Sequence, residues 1–278
     1  MLDITTIVDT IKKTNKIVKP KEKIISVSKC LTLLHKEFDQ EATAINTHKK
    51  NFDNADSIYY QKSVEDIIKM WTDKADTSKH YGSCLDDYIG MYLNKEDKKL
   101  ALWKLDNNFE YDNRLKGLCT GFEQFYKLLS ENTDYTYVTR EMTMYIKSNI
   151  SNKFITGRFD CLFYSPSLNK FLIVDWKNTE KIQSTNDFGG KMFGPCYNLD
   201  DCKHNEYTFQ VQFYKKALAE TYHLTTIDNI DCYICQMIWE PNETGKYFKI
   251  YKQNFDFNSE FLDKVIDYSC KKNDILEN

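Results

Sequence analysis

The chain has 278 residues, 41% hydrophobic and 28% charged, with a formal net charge of −3. That composition is enough for a sizeable core, and it argues against a protein held on nucleic acid by bulk positive charge alone. No apolar run approaches the roughly 20 residues that a bilayer span needs, and the N-terminal stretch has no basic region followed by an apolar block, so neither a membrane partner nor a signal peptide is expected.

The first third reads as helical. "IISVSKCLTLLHKEF" places Ile24, Val27, Leu31, Leu34 and Phe38 on one helical face. Residues 39–62 are polar and show no period. Ser63 and Asp66 have the spacing of a capping box ahead of "IIKMW", and "DDYIGMYL" continues a helical pattern. "RLKGLCTGFEQFYKLL" is the clearest amphipathic helix, with Leu115, Leu118, Cys119, Phe122, Phe125, Tyr126 and Leu129 in one stripe.

From residue 137 the period changes to two. "YVTREMTMYIKS", "KFITGRFDCLFYS" and "KFLIVDWKN" read as three strands joined by short turns. The stretch 179–206 has no clear period, and a segment of this length often covers a site. A helix follows in "YTFQVQFYKKALAETYHL", then two strands in "NIDCYICQMIWE" and "KYFKIYKQNF" with Gly245 in the turn, and a closing helix in "SEFLDKVIDYSCKK". The expected fold is α/β (α+β): a central mixed sheet of about five strands flanked by helices, with a helical N-terminal third. Residues 1–62 form a helical region packed on a core of 63–278, as one continuous domain.

Nine cysteines lie scattered without a regular framework, which points to free thiols in a reducing, intracellular compartment. Cys232 and Cys235 fall within one strand pattern, where alternation sends them to opposite faces, so they do not suggest a cluster. Cys196, Cys202 and His204 lack a fourth ligand and standard zinc spacing. Six lysines between 12 and 23 read as a solvated face rather than a backbone-binding arm. "GGKM" lacks the phosphate-loop spacing, and no Gly-x-Ser-x-Gly or His-Glu-x-x-His motif is present.

The chemistry concentrates in the hairpin "GRFDCLFYSPSLNKFLIVDWKN". Opposed residues in an antiparallel pair share a constant index sum. A turn centred on Ser167 and Leu168 gives a sum of 335, which sets Asp160 against Asp175 and Arg158 against Lys177. A turn centred on Ile150 and Ser151 gives 301, which sets Glu141 against Asp160. Three carboxylates then stand on neighbouring strands, each about 5 Å from the next. Period two puts Arg158, Asp160, Asp175 and Lys177 on one face and Phe159, Cys161, Val174 and Trp176 on the other. Opposed like charges destabilise a sheet, and buried unpaired carboxylates cost several kcal/mol each. Either Lys177 and Arg158 balance them in a structural ion network, or a divalent cation does, for which oxygen ligands suit Mg²⁺ or Mn²⁺.

Gly157-Arg-Phe-Asp160 followed by Asp175-Trp-Lys177 resembles the catalytic core of the PD-(D/E)XK nuclease superfamily, whose fold is restriction-endonuclease-like. The preceding strand with Glu141 fits that pattern. Gln210 and Tyr214 resemble the Gln-x-x-x-Tyr element of its RecB-type and lambda-exonuclease-like branch. The run from "IVDWKNTEKI" through "GPCYNLDDC" to "YTFQVQFY" resembles exonucleases of large DNA viruses. Phe159 stands where the family name has proline. "HYGSCLDDYI" is similar to an upstream helix that often carries histidine, but Asp86 holds that position and His80 lies one turn early.

The resemblance implies a metal-dependent nuclease, most like a 5′→3′ exonuclease on duplex DNA ends in viral recombination or replication. Asp160, Asp175 and the backbone carbonyl of Trp176 would hold Mg²⁺ or Mn²⁺, with Glu141 ahead of Glu123 or Asp86 as a further ligand. Lys177 would orient a water or stabilise developing charge, and Gln210, Tyr214 and Arg158 would bind substrate. It further implies duplex DNA ends as partner, a single-strand-annealing protein as a second, a homo-oligomeric ring, and residence in the cytoplasm, a virus factory or the nucleus of a host cell. An endonuclease, an RNA-degrading nuclease and a catalytically silent nucleic-acid-binding relative are the alternatives.

Overall fold

The computed structural model describes residues 3–18, 20, 24–151, 153–187 and 189–277. The helices are α1 (Ile4–Val18), α2 (Val27–Thr32), α3 (Gln40–Asn51), α4 (Val64–Leu93), α5 (Asp97–Asp106), α6 (Asn113–Asn132), α7 (Lys203–Lys216) and α8 (Ser259–Glu277). The strands are β1 (Ile25–Ser26), β2 (Thr136–Arg140), β3 (Thr143–Lys147), β4 (Phe154–Arg158), β5 (Cys161–Ser165), β6 (Lys170–Lys177), β7 (Ile230–Met237) and β8 (Phe248–Tyr251). The expected mixed α/β class, five-stranded mixed sheet and helical first third are all present. No helix among the described residues is long and apolar enough to cross a membrane. The chain divides into two compact units, residues 1–36 with 88–278, and residues 37–87.

In the larger unit the sheet order is β2-β5-β6-β7-β8, with β6 and β7 parallel and the other neighbours antiparallel. β5 is buried along its whole length and β6 at all but its end residues, because helices cover both faces. One face meets α6, whose Phe122 and Phe125 rings pack edge-on against Trp176. Asp112 caps α6 by accepting from the Leu115 N–H at 2.9 Å. Gly121 lets this helix approach closely, since a Cβ there would lie 2.3 Å from the Tyr247 carbonyl oxygen. The opposite face buries Leu162, Tyr164, Phe171, Ile173, Cys232 and Ile234 with Phe209 and Phe213 of α7 and Leu262, Val265 and Ile266 of α8. Cys232 and Cys235 do take opposite faces, only Cys232 belonging to this cluster. All nine cysteines are buried thiols, with no disulfide among the described residues.

A second, three-stranded sheet runs β1-β4-β3, with β1 parallel to β4. Here the helix expected from Ile24 onward begins later. Ile25 and Ser26 pair with Ile155 and Thr156 as a strand, and Ser26 then caps α2 through the Lys29 N–H at 3.0 Å. A β-branched residue followed by a good cap favours that split. Lys12, Lys13 and Lys16 are exposed on α1, as a solvated face requires, while Lys19, Lys21 and Lys23 lie outside the described residues.

In the smaller unit, Ser63 and Asp66 form the expected reciprocal cap of α4, at 3.2 and 3.1 Å. The segment expected to be irregular, 39–62, contains α3. Asp39 caps that helix through Ala42 N–H at 2.9 Å, but Ala44 is its one buried residue, so there was no apolar period to read. The Trp71 indole N–H donates to the Tyr59 hydroxyl at 3.0 Å.

Candidate active site

The index sums of the hairpins are observed within the ladders, but the expected pairs Glu141–Asp160, Asp160–Asp175 and Arg158–Lys177 fall outside them, and Arg158 faces Thr143 instead. Cys161 faces Val174 and Ser165 faces Lys170, the sum of 335. Thr143 faces Arg158 and Lys147 faces Phe154, the sum of 301. What alternation alone does not reveal is that each long strand breaks at the charges. The first divides into β2 and β3 at Glu141 and Met142, and the second into β4 and β5 at Phe159 and Asp160. The hairpin thereby passes from the three-stranded sheet into the five-stranded one. Glu141 sits at φ 49°, a conformation that disfavours side chains with a Cβ, and its N–H donates to the Asp160 carbonyl at 3.2 Å. Phe159, expected on the Trp176 face, instead joins the α7-side core and meets the Tyr214 ring edge-on. Leaving the ladder at this point released it from strict alternation.

Asp160 and Asp175 come together at the break. The Trp176 N–H donates to Asp160 Oδ2 at 2.7 Å. Asp175 is 1% exposed. The Lys177 ammonium lies 2.7 Å from its Oδ2 and is that oxygen's partner, while Oδ1 is buried without a hydrogen-bond donor. Burial pushes the Asp175 carboxyl above its ordinary pKa. Lys177 opposes that rise only in part, and the Glu206 carboxylate adds to it. Burial alone would lower the Lys177 pKa, but the Asp175 and Asp160 carboxylates outweigh it and hold the ammonium above its ordinary value. Two acids share one lysine, with the Trp176 N–H as a further donor to Asp160.

Helix α7 supplies the other wall. Gln210 Oε1 accepts from the Lys177 ammonium at 3.2 Å. The Tyr214 hydroxyl donates to the Arg158 carbonyl at 2.9 Å, and burial raises its pKa. Gly157 permits this docking, since a Cβ there would lie 2.6 Å from the Tyr214 ring. Two further residues of this wall were not singled out from sequence. Tyr207 places its ring 4.6 Å from the Lys177 ammonium, and Glu206 acts on Asp175 through its charge. Both lie on the Gln210–Tyr214 stripe extended one turn backwards by three and four residues, which is the signal that would have found them. Glu206 also accepts from Lys203 at 2.6 Å and lies 4.0 Å from His35 Nε2.

Arg158 is 61% exposed and ion-pairs with Glu141 at 3.1 Å; Arg140 approaches the same carboxylate at 3.4 Å. Glu141 therefore touches the site through its backbone, while its carboxylate faces the two arginines. Arg158, Thr143, Thr156, Ser26, Ser28 and Gln210 line an open groove of about 400 Å³ beside the acids. A larger cleft of about 540 Å³ lies around Asn169, His223 and Thr226; chemistry is assigned to the smaller groove because its wall residue Gln210 bonds the Lys177 ammonium. Glu123 lies on α6, where it accepts a short hydrogen bond from the Tyr88 hydroxyl. Asp86 lies on α4 within the smaller unit.

No family model matches the chain, and no curated protein matches it. The donor chemistry itself bears on a cation. Asp175 keeps its buried Oδ1 without a donor. In a strand a residue's N–H and C=O point to the same side, so the Trp176 carbonyl leaves β6 on the side of Asp160, past the last β5–β6 pair. Two acids and a carbonyl, all hard oxygens, fit Mg²⁺ or Mn²⁺. Among the described residues no three His, Cys, Asp or Glu side chains converge as a ligand set, so the fit rests on those three oxygen donors.

Proposed function

We propose that the chain is a metal-dependent nuclease that hydrolyses phosphodiester bonds, acting as a 5′→3′ exonuclease on duplex DNA ends in viral recombination or replication. The observation that carries this reading is the buried Asp175 carboxylate, paired with Lys177 on one oxygen and without a hydrogen-bond donor on the other, beside Asp160. Asp160, Asp175 and the Trp176 carbonyl would hold Mg²⁺ or Mn²⁺, with Glu141, whose carboxylate here pairs with Arg140 and Arg158, as the candidate further ligand. When bound, the cation supplies Lewis-acid polarisation of the phosphate and a lowered pKa for water.

The chain's own residues then have distinct tasks. Lys177, kept protonated by the acids, stabilises negative charge that develops on the phosphate oxygens as water adds and the P–O3′ bond breaks. Gln210 fixes the position of that ammonium. Arg158 is exposed and offers a planar fork for a phosphate in the groove, while Tyr214 anchors its backbone. The products are a 5′-phosphate and a 3′-hydroxyl. Duplex DNA is the partner; a single-strand-annealing protein and a ring of copies of this chain extend the same reading.

A second reading, nucleic-acid binding without hydrolysis, draws on the same ion pair, since Lys177 already neutralises Asp175 and, among the described residues, no three acid, histidine or cysteine side chains converge as a ligand set. The test is digestion, with and without Mg²⁺, of linear duplex bearing 5′-phosphate or 5′-hydroxyl, of closed circular DNA, and of RNA. Loss of linear duplex from 5′ ends, abolished by chelation and by Asp175→Asn, is expected. Cutting of closed circles or of RNA alone would replace the exonuclease assignment, and an inert wild type that still binds DNA would favour the second reading.

A further inference from the structure

The Lys177 ammonium has three walls: Asp175 Oδ2 at 2.7 Å, Gln210 Oε1 at 3.2 Å and the Tyr207 ring at 4.6 Å from its centroid. The first two depend on the state of the site. The ion pair disappears if Asp175 turns to another cation, and Gln210 can exchange its acceptor oxygen for a substrate group. A ring quadrupole does neither: its attraction for an ammonium persists whatever Asp175 does. A lysine has a flexible four-carbon stem, so without a state-independent contact it would leave the site when Asp175 is engaged elsewhere. Among the described residues the Tyr207 hydroxyl makes no hydrogen bond, so the ring face is what it offers Lys177. One turn of α7 further on, Gln210 braces the same ammonium, which fixes the ring and the amide in register.

We propose that Tyr207 is a positioning residue, whose ring keeps the Lys177 ammonium over the acid pair when the Asp175 charge is neutralised or occupied. This rests on the reading of Lys177 as part of a hydrolytic site, but its test does not require activity. Lys177 is 17% exposed, so its amine should acylate slowly with a water-soluble N-hydroxysuccinimide ester, read at that residue by peptide mass spectrometry. Asp175→Asn alone should leave Lys177 largely protected. Adding Tyr207→Leu to Asp175→Asn should speed its acylation by about tenfold, whereas adding Tyr207→Phe should not, a difference of the size a desolvated cation–π contact gives.

Tyr207→Met serves where the leucine variant melts early, since it keeps comparable volume without a ring. In the wild-type background Tyr207→Phe should retain the nuclease rate and Tyr207→Met should lower it. Equal acylation of the Phe and Met variants, or no change in either, would overturn the proposal. Ring-dependent protection in a chain without nuclease activity would uphold the positioning and remove only the hydrolytic reading.

Discussion

Helix α7 touches two lysines with carboxylate partners, Lys216 buried and Lys177 half-buried, and their partners are satisfied differently. Lys216, 0% exposed, bonds Glu220 and the Ser259 hydroxyl and lies 3.0 Å from Asp263. Its acids are satisfied in turn. The Asn149 N–H donates to Asp263 at 3.1 Å, while the Asn149 amide and the Ser259 hydroxyl donate to Glu220 at 2.7 and 2.9 Å. Burial raises the cost of charge on Glu220, but these partners outweigh it and lower its pKa. Around Lys177 the balance runs the other way: Asp175 has Lys177 on one oxygen and no donor on the other, and burial outweighs that partner, so its pKa rises. A buried charge cluster made for stability closes its own hydrogen bonds. The Asp175 cluster leaves one carboxylate oxygen without a donor, and that is the difference the proposed metal site would use.

The largest expected effect falls on Asp175. Asp175→Asn should lower the nuclease rate by about a thousandfold or more, on the scale of lost electrostatic transition-state stabilisation. The same variant should melt no earlier than wild type, because it removes an ionised group that the fold disfavours. Lys216→Ala should do the reverse. Stranding two buried carboxylates costs roughly 3–5 kcal/mol, read as a lower urea midpoint, while the folded fraction keeps its specific activity. If Lys216→Ala proved silent and Asp175→Asn destabilising, the contrast between the two clusters would collapse.

Proton linkage sharpens the contrast. Glu220 has a folded pKa below its ordinary 4.5, so its stabilisation is present above that value and is lost as pH falls through the folded pKa. Asp175 has a folded pKa above its ordinary 3.8. There the native state binds more protons than the unfolded chain, and stability declines as pH rises from 3.8 to the folded value. Urea midpoints across this acid range should therefore show Glu220→Gln flattening the loss toward low pH and Asp175→Asn flattening the decline toward neutral pH. Parallel curves for the two variants would contradict the opposed directions.

Much of this was legible in the sequence because strand pairing is arithmetic. Once the turns at Ile150–Ser151 and Ser167–Leu168 are placed, the sums 301 and 335 fix which residues face one another, and buried strands advertise themselves by unbroken apolar runs. Three features escaped for physical reasons. The break at Glu141 and Asp160 is a backbone event at residues with no turn signature. β1 is two residues long, too short for any period. Tyr207 and Glu206 act through a helix whose buried face includes polar side chains such as Asn205, Thr208 and Gln212, so hydrophobic spacing could not tell core from site. A fold is specified by many redundant apolar positions, whereas a site depends on a few side chains whose partners come from distant segments.

The smallest effect sharpens the reading at the rim of the site, where Arg158 faces Glu141 at 3.1 Å but remains 61% exposed. An exposed pair of this kind contributes about 0–1 kcal/mol to folding, so Arg158→Ala should leave the urea midpoint nearly unchanged. If the groove guides a phosphate to the acids, the same change should raise KM by about threefold to tenfold at constant kcat, and should reduce the steepness with which binding weakens in salt. Arg158→Lys keeps the charge without the fork and should recover the salt dependence but only part of the affinity. A fall in kcat with KM unchanged would move Arg158 from holding the substrate to stabilising the transition state, and would place the scissile phosphate nearer Glu141 than Asp175.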